Sequence, residues 1–332
     1  MTSKKILITG GAGYIGSHTV RLLAEKGYSL IVLDNLVYGH RESIINPEVE
    51  LIVGDLGDKD LTGRLFEYND IEAVIHFAAY AYVGESVTEP EKYYFNNIVA
   101  PLNLLHVMKK YGCKNFIFSS TCATYGNPQY TPLDEKHPQK PINPYGTSKF
   151  MLELILRDYA HAYGFKYAFL RYFNASGASP DGLIGEDHNP ESHLIPLILE
   201  AINGDRPHIT VFGTDYDTPD GTCIRDYIHV DDLATAHLAA LEHLSSGKES
   251  IVCNLGTGIG VSVKEMIQVV EEVTGKKVPV VYGDRRAGDP PYLFANPAAA
   301  KELLGWEAKY KDVKETVAHA WKWKTGPKGG HF

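Results

Sequence analysis

The stretch Ile6-Leu7-Ile8-Thr9-Gly10-Gly11-Ala12-Gly13-Tyr14-Ile15-Gly16 decides the fold. A short apolar run passes directly into a glycine-rich turn that matches G-x-x-G-x-x-G from Gly10 and G-x-G-x-x-G from Gly11. Glycines permit a tight turn and let backbone approach a pyrophosphate. The helix that follows offers unpaired N–H groups and the positive end of its dipole. A glycine pattern alone is weak, but this one has its context. A helical pattern runs from about Tyr14 to Lys26 and stops at Gly27, and a second apolar strand, Leu30–Leu33, ends at Asp34. Asp34 is placed to accept from the adenosine ribose hydroxyls. A carboxylate there repels a 2′-phosphate, so the expected cofactor is NAD and not NADP.

Outward from this turn the pattern repeats. Further strands are expected at Glu50–Val53, at Ala73–Ala79, at Asn115–Phe118 running into Ser119-Ser120-Thr121, and at Tyr167–Phe173. Helices are expected at about Glu89–Tyr111, before Gly112, and at Pro144–Tyr163, before Gly164. Continuous apolar strands alternating with helices predict a parallel sheet covered on both faces. Right-handed crossovers make that an α/β, doubly wound (Rossmann) sheet. After Asn174 the texture changes. Ala175–Ser192 reads as a loop, Leu194–Ile202 as a short helix, Ile209–Gly213 as a strand and Asp215–Gly221 as a polar loop. Asp231–Leu244 reads as a helix and Ile251–Leu255 as a strand, with later helices near Val263–Thr274 and Pro297–Leu304. The expected organisation is a dinucleotide-binding domain over residues 1–173, to which 231–255 return. A smaller C-terminal substrate-binding lobe is built from 174–230 and 256–332. The tail Gly326–Gly330 is expected to fray.

Length and composition set limits. A chain of 332 residues predicts about two domains at roughly 100–200 residues each. Hydrophobic residues at 44% and charged residues at 22% are ordinary for a soluble protein. A net charge of −9 argues against wholesale nucleic-acid binding. No stretch approaches the ~18 apolar residues of a membrane span, and the N-terminus lacks a signal-peptide pattern. Cys113, Cys122, Cys223 and Cys253 form no C-x-x-C pair and show no zinc spacing, so buried thiols, a cytoplasmic location and no metal are expected.

Tyr145-Gly146-Thr147-Ser148-Lys149 is Y-x-x-x-K. Positions i and i+4 share a helix face, so an ammonium can lie near the phenol and favour its anion. Free tyrosine, with a pKa of about 10, is a poor base at neutral pH, and the pair reads as a tuned general base. The same pattern at Tyr310 and Lys314 falls in an expected exposed helix. Context favours Tyr145, which opens the helix after the fifth strand. Thr121 ends that strand with a hydroxyl able to share a substrate proton. Asp55, at a strand end, is placed to contact the adenine, and Phe77-Ala78-Ala79 leaves room for the cofactor.

With these features in place, the chain resembles the extended short-chain dehydrogenase/reductases, and among them the UDP-glucose 4-epimerases. The resemblance covers nearly the whole chain. Beyond the glycine turn it is carried by Val83-Gly84-Glu85-Ser86, Asn115–Ser120, Pro144–Lys149, Arg171-Tyr172-Phe173-Asn174, Gly185-Glu186-Asp187, Arg225–Val230 and Arg285-Arg286-x-Gly288-Asp289. It implies NAD contacts from Gly10, Gly13, Tyr14, Ile15 and Gly16 in the turn, and from Asp34, Asn35, Asp55 and Leu56 around the adenosine. Further along it implies contacts from Phe77, Ala78, Ala79, Asn96, Ser119, Tyr145, Lys149, Tyr172 and Phe173. It implies a UDP-sugar held by Thr121, Asn174, His193, Leu194, Phe212, Arg225, Tyr227, Arg285, Asp289 and Leu293. Two arginines can fork a pyrophosphate, Phe212 can pack on uracil, and Asp289 can accept from a ribose hydroxyl.

The implied activity is interconversion of UDP-glucose and UDP-galactose through a transient 4-keto sugar, with UDP-N-acetylhexosamines as further candidates. His193 and Leu293 bear on sugar choice, and Ala81 stands where many members carry a lysine near the cofactor. UDP-xylose/UDP-arabinose epimerisation is the alternative substrate reading, and a catalytically dead NAD-sensing regulator the alternative of another class. A 4,6-dehydratase would need an acid pair after Thr121, where Cys122-Ala123 stand. The resemblance also implies a homodimer formed through the helices around 89–111 and 145–163.

Overall fold

The computed structural model describes residues 4–286 and 288–332. Its first half runs β1 (Lys5–Thr9), α1 (Tyr14–Glu25), β2 (Ser29–Asp34), β3 (Glu50–Val53), α2 (Lys59–Tyr68), β4 (Ile71–His76), α3 (Val83–Thr88), α4 (Pro90–Tyr94), α5 (Ala100–Tyr111), β5 (Asn115–Thr121), α6 (Pro144–Tyr163) and β6 (Lys166–Tyr172). The second half runs β7 (Asn174–Ser176), α7 (Leu194–Asn203), β8 (Ile209–Phe212), β9 (Ile224–Arg225), β10 (Tyr227–His229), α8 (Val230–Ser245), β11 (Ile251–Leu255), β12 (Val261–Ser262), α9 (Val263–Thr274), β13 (Val280–Gly283), β14 (Tyr292–Leu293), α10 (Ala298–Leu304) and α11 (Val313–Lys324).

Seven parallel strands form the main sheet in the order β11-β6-β5-β4-β1-β2-β3. The chain builds outward from β1 to β3, then crosses back to lay β4 on the other side of β1. That reversal opens a crevice at the carboxyl ends of β1 and β4, where ligands bind in doubly wound sheets. One face of the sheet is covered by Val20 and Leu23 of α1 and Leu233, Ala236 and Leu241 of α8. The other is covered by Leu104, Leu105 and Met108 of α5 and Leu152 and Leu156 of α6. A second core joins Ile195, Ile198 and Leu199 of α7 to Met266 and Val270 of α9 and Val317 of α11. Small sheets, β8–β13 and β12–β9–β14, complete this second lobe.

The local chemistry explains the boundaries. In α6, Pro144 fills the first turn, the Asn143 side chain accepts from the Gly146 N–H at 2.8 Å, and Gly164 closes the helix with a φ of +70°. β4 stops at His76 and not at Ala79, because the Phe77 and Ala78 N–H groups both turn to the Thr9 carbonyl. The expected helix over 89–111 is three pieces, α4, a π-turn at Phe95–Val99, and α5. Two helices have no counterpart in the sequence reading, α2 and α3.

Two expectations are overturned. Tyr310 lies ahead of α11, which Asp312 caps through the Lys314 N–H, so Tyr310 and Lys314 do not share a helix face. The Tyr310 ring packs on His229 instead. The tail does not fray, because Asp187 holds it: its carboxylate accepts from His331 Nδ1 at 2.8 Å and from the Phe332 N–H at 3.1 Å. The Phe332 ring then stacks on His40 and meets Trp323.

Candidate active site

A cavity of about 1500 Å³ runs from the crevice into the second lobe. Every residue expected at the cofactor or substrate site lines it except Arg285. At its base, the glycines of the turn divide into two kinds. A Cβ on Gly10 would sit 2.4 Å from the Ala78 nitrogen, and one on Gly16 would sit 2.3 Å from the Gly10 carbonyl oxygen. A Cβ on Gly13 would meet nothing closer than that same oxygen at 3.4 Å. Gly10 and Gly16 are therefore required by the turn itself. Gly13 leaves its space open and begins α1 with no side-chain cap, so the helix N-terminal N–H groups stay available.

Asp34 is buried. Its two oxygens accept from the Ala12 and Leu36 N–H groups, each at 2.9 Å, which fixes the carboxylate between the turn and the loop after β2. Burial raises its pKa, and those two bonds oppose the rise. Asp55 accepts from Asn35 Nδ2 at 2.9 Å and from the Gly57 N–H at 2.7 Å. The π-turn presents Asn96 to the cavity, while Asn97 turns inward to bond Tyr80 N, Tyr80 O and Ser148 Oγ. A π-turn inside an α-helix often marks a functional site. Tyr14 spends its hydroxyl on the Gly177 carbonyl at 2.6 Å and ties the turn to the second lobe.

Tyr145, Lys149 and Glu153 recur every four residues along α6. Glu153 is forked by Arg171 of β6 (Nε at 2.9 Å, Nη2 at 2.5 Å) and accepts from Ser120 Oγ at 2.7 Å, which sets the helix against β5 and β6. Lys149 Nζ donates to the Ser119 carbonyl at 2.9 Å and lies 6.0 Å from the centre of the Tyr145 ring. Burial brings its pKa down to about 7. Burial also raises Tyr145, with the Tyr172 phenol adding to the rise and the Thr121 hydroxyl opposing it. The expected lowering of the phenol by Lys149 is thus absent from the protein alone, because desolvation dominates both groups. Thr121 Oγ1 accepts from the Ala123 N–H at 3.1 Å and keeps its own proton free to donate.

In the second lobe, Arg225 donates to the Ile224 and Pro290 carbonyls at 2.9 and 2.8 Å and lies 3.5 Å from Asp289. Arg285 is a correction. It pairs with exposed Asp215 at 2.7 Å and packs on Tyr216, outside the cavity lining. Its neighbour Arg286 lines the cavity instead, with its guanidinium 4.5 Å from the centre of the Phe212 ring. Adjacent arginines in a loop carry no periodic signal to separate them. Four further lining residues had no assigned role or, for His193, an incomplete one: Glu186, His188, Glu191 and His193 bring one ligand-type atom each within 4.8 Å of one another. The spacing E-x-H-x-x-E-x-H was their available signal. All four cysteines are buried and unpaired, and no helix among the described residues is long and apolar enough to cross a membrane.

A family model described as "NAD dependent epimerase/dehydratase family" matches residues 6–256. The chain belongs to this family. It is 49% identical to UDP-glucose 4-epimerase of Streptococcus mutans, over 98% of both chains. It superposes with a TM-score of 0.93 on the crystal structure of UDP-glucose 4-epimerase from Brucella ovis in complex with NAD, at 49% identity, covering 96% of this chain and 98% of that one. The TM-score is also 0.93 against the Bifidobacterium longum UDP-glucose 4-epimerase in complex with NAD+ and UDP, at 41% identity, covering 98% and 100%.

The residues present fit the family's cofactor. Gly13 leaves backbone space at a bare helix terminus, Asp34 stands at the end of β2, and a buried lysine, without a carboxylate partner among the described residues, stands beside the partly buried Tyr145 phenol. The departures seen in the sequence also have a place. Ala81 lines the cavity with Tyr80 and Tyr82, and Lys92 lies 4.3 Å from the centre of the Tyr80 ring, paired with Glu85.

Proposed function

We propose that this NAD-dependent isomerase interconverts UDP-glucose and UDP-galactose by oxidation and re-reduction at C4 of the sugar. The observation that carries the reading is one continuous cavity. It joins the glycine turn, the Thr121–Tyr145–Lys149 constellation and the arginines of the second lobe. Likeness to UDP-glucose 4-epimerases across the whole chain supports it.

The glycine turn, Asp34, Asp55 and Lys149 would hold NAD. When bound, NAD supplies a hydride acceptor at the sugar and a positive ring charge beside the phenol. Tyr145 takes the proton of the 4-hydroxyl and later returns it, while the Thr121 hydroxyl donates to the same oxygen. A raised pKa holds the proton on the Tyr145 phenol, so the positive charge supplied with NAD is what would bring the group down to a range where it can take a proton and return it. Arg225 and Arg286 bracket the diphosphate and Phe212 offers a face to the uracil, so the nucleotide is gripped and the sugar left free to turn. Residues 174–230 and 256–332 are assigned to UDP-sugar binding on this reading, except α10 and the following Trp306 and Ala308, which pack in the core of the main sheet with α8 and β11, and the main sheet is assigned to NAD.

Purified protein incubated with UDP-galactose and no added NAD should yield UDP-glucose, resolved by anion-exchange chromatography. Absence of interconversion, with none for UDP-N-acetylgalactosamine or UDP-arabinose run alongside, would refute the reading. A homodimer belongs to the same proposal. Phe95 and Val99 on one helical stretch and Met151 and Leu154 on neighbouring α6 are exposed, an apolar surface suited to a shared helical bundle. Sedimentation at micromolar concentration should give twice the chain mass, and a monomer would count against it.

A further inference from the structure

The segment from Glu186 to His193 places two carboxylates and two imidazoles on the cavity wall, and the mechanism proposed above uses none of them. Both carboxylates are buried, with side-chain exposures of 4% for Glu186 and 6% for Glu191. Buried anions this close must be compensated. Glu186 Oε1 is hydrogen-bonded to His193 Nδ1 and lies 3.1 Å from His188 Nδ1. Glu191 Oε1 accepts from the backbone N–H of Ser192 at 2.6 Å and of His193 at 2.8 Å, and lies 3.5 Å from His193 Nδ1. One nitrogen of His193 is thus committed to carboxylates, which fixes the ring. Among the described residues Nε2 has no hydrogen-bond partner, and the side chain is 42% exposed in a residue that lines the cavity. His193 also stands at the N-terminus of α7, a ten-residue helix whose dipole favours an anionic ligand there and opposes a charged ring, so the two carboxylates have to outweigh it.

We propose that Glu186 is a positioning residue: its carboxylate, with Glu191 beside it, holds His193 as an imidazolium whose Nε2–H is a fixed donor to an anionic oxygen of the bound nucleotide-diphosphate sugar. This rests on the UDP-sugar reading above. The electrostatics agree with the geometry. Burial alone would lower His193, but Glu186 outweighs it and holds the ring at about 9. Glu191, raised to about 7 by burial and by Glu186, carries less than a full charge at neutral pH. Tyr14 of α1 and Tyr82 ahead of α3 face the cluster, each edge-on to His188, and on its other side Glu200 of α7, Lys324 of α11 and His331 share a small pocket with Glu186 and Glu191. Burial raises the Tyr14 and Tyr82 phenols, so both stay neutral. The substrate therefore meets a cation stabilised from behind. Without Glu186 the ring would lose its charge near neutral pH.

The test is binding of UDP-glucose, whose phosphates do not titrate near neutrality, to NAD-loaded protein in a Tyr145→Phe background by calorimetry from pH 6 to 8.5, below the ionisation of the uracil N3–H. Affinity with Glu186 intact should stay level across this range. In Glu186→Gln it should fall near the ordinary histidine value of about 6.5, so binding matches at pH 6 and is roughly tenfold weaker at pH 8.5, the scale of a charge-assisted bond. Glu186→Asp, which keeps the charge, should stay level. In His193→Asn, adding Glu186→Gln should change nothing more. Chelator-treated protein should behave like untreated protein. Affinity that Glu186→Gln leaves level overturns the proposal while the UDP-sugar reading stands. So does affinity that is lost on chelation and restored by zinc. No UDP-glucose binding at any pH overturns both.

Discussion

Tyr145 and Lys149 illustrate why residue identity and residue environment must be read together. In sequence they are a phenol and a cation on one helix face, and the cation is expected to lower the phenol. In the folded chain both are desolvated, so the phenol is raised and the lysine falls to about 7. The protein keeps the pair poised near neutrality of charge, and the positive charge that shifts it is brought with the cofactor. Replacing Tyr145 with Phe should cut turnover by roughly 10²–10⁴-fold, the usual share of a positioned acid–base group, while UDP binding measured by calorimetry stays within twofold. The two adjacent arginines give a second test at this scale. Arg286→Ala should raise KM for the UDP-sugar by about tenfold or more, as expected for loss of a charged hydrogen bond. Arg285→Ala should leave steady-state kinetics nearly unchanged, because its guanidinium is spent on Asp215 at the surface.

The glycine turn and α6 carry the element-scale lesson. Gly13→Ala adds a methyl that only grazes the Gly10 carbonyl at 3.4 Å. That variant should fold with a near-normal melting temperature and purify with little NAD, read from absorbance or from extracted nucleotide. Gly16→Ala would drive a methyl to 2.3 Å from the same oxygen, so its melting temperature should drop sharply whatever ligand is added. The turn and α6 were legible in sequence because their signals are local: glycines at fixed spacing, Pro144 and Asn143 at one end, Gly164 at the other. The Asp58 cap of α2 was equally local, accepting from the Asp60 and Leu61 N–H groups at 3.0 Å. Its mixed apolar and polar texture hid the helix it begins. The π-turn at Phe95–Val99 has no sequence signature of its own, since it is imposed by Asn97 reaching back to Tyr80 and Ser148. The split between Arg285 and Arg286 and the Glu186–His193 pairing depend in the same way on loop geometry, which no periodicity encodes.

At the scale of the whole molecule, burial of uncharged histidines sets an acid limit. His76 and His229 are lowered to about 3 and His237 to about 4, each chiefly by burial. On unfolding they return to about 6.5, so between these values the unfolded chain binds more protons and stability rises with pH. Acidification from pH 7 to pH 5 should cost on the order of 1–2 kcal/mol per histidine, seen as a falling midpoint in urea titrations. His76→Gln should weaken that dependence. The docked tail was not legible beforehand, because a stretch of glycine and lysine gains its order from Asp187, His40 and Trp323, residues distant in sequence. The late return of the chain to the main sheet has a further consequence. β11 closes the β6 edge, and α8 shares the face that α1 covers, while the residues between β6 and α8 build part of the second lobe. Neither lobe is therefore a contiguous length of chain, and neither can lose its packing without exposing the other. Heating should melt the molecule in a single calorimetric transition, with NAD and UDP each raising the temperature of that one event. A fragment ending at residue 173 should fail to persist as a folded species.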